Sequence, residues 1–507
     1  MNDTKLPDNW VGASLGDVAE IRAGQGFPKK YQGKSQGDIP FYKVKDISET
    51  VLNGLIYLDK ANNYLNKIEC NEINGKPFKK GTIVFAKIGE AIKLNRRAIL
   101  SKDSLVDNNV MGLSPFMGVK ELYLYYFLLT IKLGDLSRAT TVPSVRKGDV
   151  ENLEIPIPPL NEQKRIVTKI EELFTRLDGG VDDLERSKKQ LKVYRQSLLK
   201  HAFEGKLTQE WRKTNKKYLE PASVLLERIR KERKKLLGKK YKELPTLSSN
   251  ELNKLPKIPD TWLWEKAANI VNGVNNGSTP IADLLNTTES KIPFIKVYNL
   301  TFSGELNFNK DPTFIELETH KNQLSRSIVY PGDVLINIVG PPLGKVSLVT
   351  NIYPEWNINQ AIVAFHSTII NSNYLLYAFQ SKFIMNRLFR TGKATAGQTN
   401  LKLSTCRELP LPLIPLAEQN EIIKQLDTII PSINKSNEII NYNLQKSKKL
   451  RQSILKKAFQ GQLVSQDPKD EPASKLLERI KAERESQKPK RKSKSRRKRK
   501  SSQAVLV

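Results

Sequence analysis

The sequence predicts an α+β fold with a particular plan. Two similar α+β domains are separated by two long helices that pair as an antiparallel coiled coil, and the halves are related by a pseudo-two-fold internal repeat. Three observations predict it. Pro158–Leu207 and Ile414–Leu463 align without a gap at an offset of 256 residues, sharing Glu162/Glu418, Gln163/Gln419, Arg195/Arg451, Gln196/Gln452 and Phe203/Phe459. EPASVLLERIRKER at Glu220–Arg233 returns as EPASKLLERIKAER at Glu471–Arg484, with 11 of 14 positions the same. Fainter echoes link the segments preceding each long repeat, so duplication sets the architecture before any single element does.

Residues 1–156 make the first domain. Asp17–Arg22, Ile39–Val44, Thr82–Phe85 and Arg96–Leu100 are short β-type runs between Gly, Asn and Asp turns. Leu122–Leu133 is apolar on most faces and long enough for a buried helix. ENLEIPIPPL then exits as an extended, proline-punctuated segment. Residues 157–256 make a helical spacer: a long helix over 161–204, a polar connector Thr208–Leu219, a short basic helix over 222–237 and a Pro/Ser/Asn linker.

In the long helix Ile170, Leu177, Leu184, Leu191 and Leu198 recur every seven residues, with Ile166, Leu173 and Tyr194 in the companion row. Leu426, Ile433, Ile440 and Ile454 keep that register in the second copy, with Ser447 the polar exception. An apolar seam sustained over five heptads predicts a coiled coil. Proline before each helix and Gly205 or Gly461 after it mark the ends. Gly179-Gly180 and Pro431 predict local kinks.

Residues 257–412 repeat the first domain. PDNW at Pro7–Trp10 returns as PDTW at Pro259–Trp262, Ile39–Val44 as Ile292–Val297, Asn108-Asn109 as Asn359-Gln360, and Tyr123-Leu124 as Tyr374-Leu375. Residues 413–486 are the second helical spacer, and 487–507 a disordered basic tail.

Charge narrows the partners. The chain of 507 residues carries a formal net charge of +31. Arg186–Lys242 holds 20 basic residues against 5 acidic ones, and Lys488–Lys500 holds 10 basic residues and no acid. Such density predicts a polyanionic partner, above all nucleic acid, the plainer alternative being a solvated helix face with an unfolded arm. No apolar run approaches membrane-spanning length, and the amino terminus lacks a signal pattern, so a cytoplasmic protein is expected.

Catalytic patterns are missing from the sequence. Neither Pro-Pro pair sits in the Asn-Pro-Pro-aromatic or Asp-Pro-Pro-Tyr context of an adenine methyltransferase. Gly340–Ser347, GPPLGKVS, is one residue short of a phosphate loop and carries Val346 where a hydroxyl must hold magnesium, so it predicts a strand–turn–strand hairpin. Cys70 and Cys406, and His201, His320 and His366, have no ligand spacing. A chain with two unlike readers would recognise two unlike half-sites, as a homodimer recognises a palindrome. The competing reading is a coiled-coil structural scaffold with non-specific nucleic-acid binding.

The exit-and-helix signature IPIPPLNEQKRIVTKIEELF…YRQSLLKHAFEGKL, its copy, and the openings PDNW and PDTW resemble the specificity subunits of Type I restriction–modification enzymes across residues 1–486. The resemblance implies two target-recognition domains, each reading half of a bipartite, asymmetric site in double-stranded DNA. Two methyltransferase subunits and restriction/translocase subunits would dock on the helices, in a system for phage defence. No cofactor would bind this chain: S-adenosylmethionine, ATP and Mg would belong to the partners. Polar residues in or beside the Gly/Pro-rich turns are then the candidates for DNA contact. These are Lys43, Lys45, Lys87, Arg96, Arg97, Thr141, Ser144 and Arg146 in the first domain, and Lys296, Asn299, Asn337, Lys345, Lys393, Gln398 and Asn400 in the second. Partner contacts would fall on Glu162, Gln163, Arg195 and Gln196 and on Glu418, Gln419, Arg451 and Gln452, the alternative for these being polar pairing within the helices.

Overall fold

A computed structural model describes residues 6–137, 142–286, 292–340, 342–390, 393–395 and 398–486. The basic tail from 487 lies outside the described residues. The chain divides into two compact units, Met1–Asp182 with Leu444–Val507, and Asp183–Asn443. Each unit therefore holds one α+β domain and part of each long helix, α1 (Leu160–Phe203) and α3 (Leu416–Phe459). The short helices are α2 (Ala222–Leu237) and α4 (Ala473–Ser486). The polar connector Thr208–Leu219 holds a helix over Gln209–Asn215. Among the described residues no helix is long and apolar enough to cross a membrane.

In the first unit a five-stranded sheet runs in the order Ala19–Ala23, Val110–Pro115, Ile83–Ala86, Arg97–Leu100, Tyr57–Leu58. Its central strand Ile83–Ala86 reads as a continuous apolar run because both of its faces are covered. With side chains alternating across the pleat, Ile83 and Phe85 enter one core beneath the helix Glu121–Leu129, while Val84 enters a second core with Tyr42 and Ile47. The second unit repeats this with Gly273–Asn276, Ile362–His366, Val334–Asn337 and Val346–Leu348, where Val334 and Ile336 face one core and Leu335 the other. In each unit a two-stranded ribbon staples entry to exit: Val11 pairs with Ile157, and Leu263 with Leu413.

The long helices run antiparallel within each unit. In the first, Arg451 lies over Phe174 and pairs with Asp178, whereas Phe459 packs edge-on against Tyr123 and Phe127 with ring centroids 5.1 and 5.3 Å away. In the second, Lys188 Nζ donates to Asn441 Oδ1 at 2.7 Å, and Phe203 meets Tyr374 at 5.6 Å. Each edge-to-face pair adds about 0.5–1.5 kcal/mol beyond the area it buries. Both helices are unbroken at Gly179-Gly180 and Pro431. Tyr194, expected in the seam, is 52% exposed.

The repeated motifs converge on one joint per unit. In the second unit Trp262 of PDTW donates through Nε1 to Glu418 Oε2 at 2.7 Å. Pro259 packs on Gly205 at the end of α1, and Ala222 N at the start of α2 donates to Thr261 O at 3.0 Å. In the first unit Pro7 packs on Gly461 at the end of α3, Trp10 faces Glu162, and Ala473 N at the start of α4 donates to Asn9 O at 3.1 Å. Both glycines need φ near +70° and have no room for a side chain, since an added Cβ would lie 2.4 Å from the proline ring.

Candidate nucleic-acid interface

Away from the joints the two units diverge most usefully at a woven group of loops. In the first unit the turn after Ile83–Ala86 is tied on both sides. Lys87 N donates to Asn109 O (2.9 Å), Val145 N to Lys87 O (2.9 Å) and Gly89 N to Pro143 O (2.8 Å), while Ile88 bridges Ser144. The second unit repeats the weave: Ile338 N donates to Ala361 O (2.8 Å), Leu401 N to Ile338 O (2.9 Å), and Val339 bridges Asn400. Gly24 and Gly277 close each group, a Cβ there meeting the carbonyl of Asp107 or Asn359 at 2.2 Å.

Equivalent backbone positions thus carry unlike side chains: Lys87 against Ile338, Ser144 against Asn400, Arg146 against Lys402, Asp107 against Asn359, and Asn109 against Ala361. The match of Asn108-Asn109 to Asn359-Gln360 is therefore displaced by one residue. Lys402, exposed beside Asn400, was missed by the sequence reading although the 256-residue offset pairs it with Arg146.

The candidate DNA contacts separate into tips and interior. Lys87 and Arg96 are half-buried, Arg146 is exposed, and none has a side-chain hydrogen bond or ion pair among the described residues. Ser144 N donates to Ser137 Oγ at 3.1 Å. Lys43 Nζ donates to Gln32 Oε1 at 2.9 Å beside the Phe27 ring, and Lys45 pairs at the surface with Glu49. Thr141 lies outside the described residues.

Arg97 does not belong with them. It is 1% exposed, and its guanidinium donates to the carbonyls of Asn95 and Ile131, with burial pushing its pKa down to about 10.

In the second unit Lys296 is half-buried beside Tyr298, and Asn400 is exposed. Asn299 and Asn337 are interior braces. Asn299 accepts from Lys296 N and donates to Asn307 O and Lys310 O, while Asn337 spans the GPPLGKVS hairpin from Pro342 O (3.0 Å) to Lys345 N (2.8 Å). Burial lowers the pKa of Lys345, whose Nζ donates to Val297 O at 3.2 Å. Lys393 and Gln398 lie on the paired strands Lys393–Thr395 and Gln398–Asn400.

Most of the helix residues offered to partners are engaged within the chain. Glu162, Gln163, Glu418 and Gln419 are at most 1% exposed. Gln163 donates to Pro158 O and accepts from Lys120 N, and Gln419 donates to Ile414 O, so each locks the turn into its helix. Arg195 and Gln196 clamp Gln380–Lys382, where the helix Ser372–Gln380 gives way to Lys382–Phe389, through Arg195 Nη2 to Gln380 Oε1 (2.6 Å) and Lys382 N to Gln196 Oε1 (2.9 Å). Of the eight, Gln452 is the exposed one. The Gln163 and Gln419 bonds are the same in both repeats, a role that spacing alone could not distinguish from a contact with another protein.

His320 and His366 bond to Glu355 and Asp333, and among the described residues no group of His, Cys, Asp and Glu could hold a metal ion.

Comparison with known proteins fits this arrangement. The family model for the Type I restriction modification DNA specificity domain matches twice, at residues 7–188 and 262–444. The specificity subunit of the Escherichia coli Type I restriction enzyme EcoDI is 25% identical over 96% of this chain and 97% of its own length. That of EcoKI, from Escherichia coli strain K12, is 24% identical over 96% and 97%. Among solved structures, a chain from work on complex assembly and conformational transition of the type I R-M system superposes with a TM-score of 0.62. It shares 18% identity, over 90% of this chain and 99% of its own. The chain therefore belongs to the Type I restriction–modification DNA specificity family, as a non-catalytic specificity subunit with two target-recognition domains in one polypeptide.

Proposed function

We propose that this chain reads a bipartite, asymmetric DNA site, one half-site per domain, and presents it to two methyltransferase subunits and to restriction/translocase subunits docked on its helices. The observation that carries this reading is the contrast between joint and tip. The same backbone weave is built twice, yet it carries Lys87, Ser144 and Arg146 in one unit and Ile338, Asn400 and Lys402 in the other. Two scaffolds of one shape with different donor and acceptor sets suit two different rows of base edges. S-adenosylmethionine, ATP and Mg are assigned to the partners, and the chain is placed in the cytoplasm with them. The long helices act as the spacer that fixes the number of uncontacted base pairs.

The test is to mix the purified chain with a cognate methyltransferase and map the methylated adenines. The expected outcome is methylation at one split sequence, none from the chain alone, and transfer of one half of that sequence when residues 257–412 are exchanged for those of another specificity subunit. Methylation that ignores the exchange would favour a structural scaffold with non-specific nucleic-acid binding and overturn the proposal.

A further inference from the structure

The duplicated short helix supplies an internal control for surface charge. Helices α2 and α4 occupy equivalent places, and their buried faces match position for position. Ala222, Leu225, Leu226 and Ile229 pack into one core, and Ala473, Leu476, Leu477 and Ile480 into the other, all under 9% exposed. The anchoring arginine is also kept. Arg233 donates to Asn269 O at 3.2 Å, and its equivalent Arg484 lies over the Phe116 ring.

The solvent faces differ. Where α2 has Lys231, Lys234 and Lys235, α4 has Ala482, Glu485 and Ser486. The fold is met without those cations. They sit three and four residues apart, with Arg228 one turn earlier, so they share a face. Lys239 and Lys240 follow in the turn Gly238–Lys240. All five lysines are exposed and form no ion pair among the described residues. Arg228 is paired with Glu220, and the neighbouring acids Glu227 and Glu243 are taken up by Arg230.

We propose that this face of α2 is a phosphate anchor for duplex DNA, a contact separate from the base-reading loops and carried by α2 and not by the equivalent face of α4. It rests on the reading of the chain as a DNA-recognition subunit and adds to it. Lysines at helical spacing without ion pairs, Lys234 lying 5.6 Å from the Tyr241 ring centre, offer point charges without geometric selectivity, which suits the phosphates of any sequence and not a base edge. Releasing counterions from each neutralised phosphate contributes about −0.9 to the slope of log K against log salt.

The experiment gives α2 the solvent face of its own twin, Lys231→Ala, Lys234→Glu and Lys235→Ser, in the full chain with its tail intact. A control carries arginine at the same three positions. Binding is measured against salt for a duplex containing the mapped methylation site and for one of equal length without it. The expected result is a slope shallower by about 2.7, affinity roughly tenfold or more weaker at 0.1 M salt, and an unchanged ratio between the duplexes. The arginine control should keep the wild-type slope. An unchanged slope in the twin-face variant overturns the anchor, as does a changed ratio, which would place these lysines at the bases. If the wild-type chain shows no preference between duplexes while the variant still flattens the slope, the sequence-reading role falls and the anchor stands.

Discussion

The joint of the second unit and the joint of the first are made of the same motifs and closed differently. Glu418 accepts from Trp262 on one oxygen, and from Thr208 Oγ1 (2.6 Å) and Arg212 Nε (2.8 Å) on the other. At the same offset past the other long helix stand Val464 and Pro468, so Glu162 has neither a hydroxyl nor a guanidinium there. The nearest tie is one turn away, where Arg165 Nη2 reaches Asp470 at 2.7 Å. Burial consequently pushes the Glu162 pKa up, against the pull of Trp10 and Arg165. A retained motif thus fixes where a side chain sits, while the residues around it decide how well its charge is held.

That contrast can be broken directly. Glu418→Gln removes the charge facing a largely buried guanidinium and should cost about 2–4 kcal/mol. Glu162→Gln removes a charge that its surroundings already oppose and should cost under about 1 kcal/mol. Its folded pKa lies above the ordinary value, so its contribution to stability is full below about pH 4.5 and declines as pH rises through the folded pKa. Hydrogen exchange across Leu263–Lys266 and Val11–Ser14 reports the two joints separately. Equal losses of protection would mean that Arg212 and Thr208 add nothing.

The glycines sharpen the same comparison from the other side. Gly205 and Gly461 have φ of +76° and +70° and the same proline approach. Alanine at either should cost about 2 kcal/mol or more, through the left-handed backbone and the proline ring together. Thermal unfolding of the two variants should show similar losses, because here the joints do not differ. A tolerated alanine at one glycine would mean that its proline can move aside.

What sequence could and could not disclose follows from these residues. The short helix was legible at both ends, since EPAS opens it and Gly238 stops it. The seam was legible as a seven-residue period, but periodicity records which positions are apolar and not whether a partner covers them. Tyr194 fits the row and lies open. Glu162 and Glu418 are polar residues at a helix start, a position equally suited to solvent, and only the approach of Trp10 and Trp262 from far along the chain makes them interior. Arg97 was offered as a DNA contact in or beside a turn, at the start of a β-type run. Its equivalent is Val346, fully buried on the matching strand, and no local pattern tells that the arginine fills that place by bonding to Asn95 and Ile131. The loop weave was invisible because its ties are backbone bonds between segments about 20 to 60 residues apart.

The smallest predicted difference lies at one cross-strand pair. His366 Nδ1 meets Asp333 Oδ1 at 2.6 Å, while the equivalent positions in the first unit, Ser114 and Thr82, share a hydroxyl hydrogen bond at 2.8 Å. The Asp333 bond raises the His366 pKa above its ordinary 6.5 against the opposing effect of burial. Because the folded value is the higher one, the stability contributed by the pair is complete below about pH 6.5 and is lost as pH rises through the folded pKa. The imidazole is 42% exposed, so solvent screening limits the effect to a few tenths of a kcal/mol. Protection of the strand Ile362–His366 should therefore weaken from pH 6 to pH 8 while that of Val110–Pro115 holds, once intrinsic exchange rates are divided out. Replacing the pair by its twin, Asp333→Thr with His366→Ser, should make the two strands respond alike. A pH response that survives the exchange would have to arise from groups outside this pair.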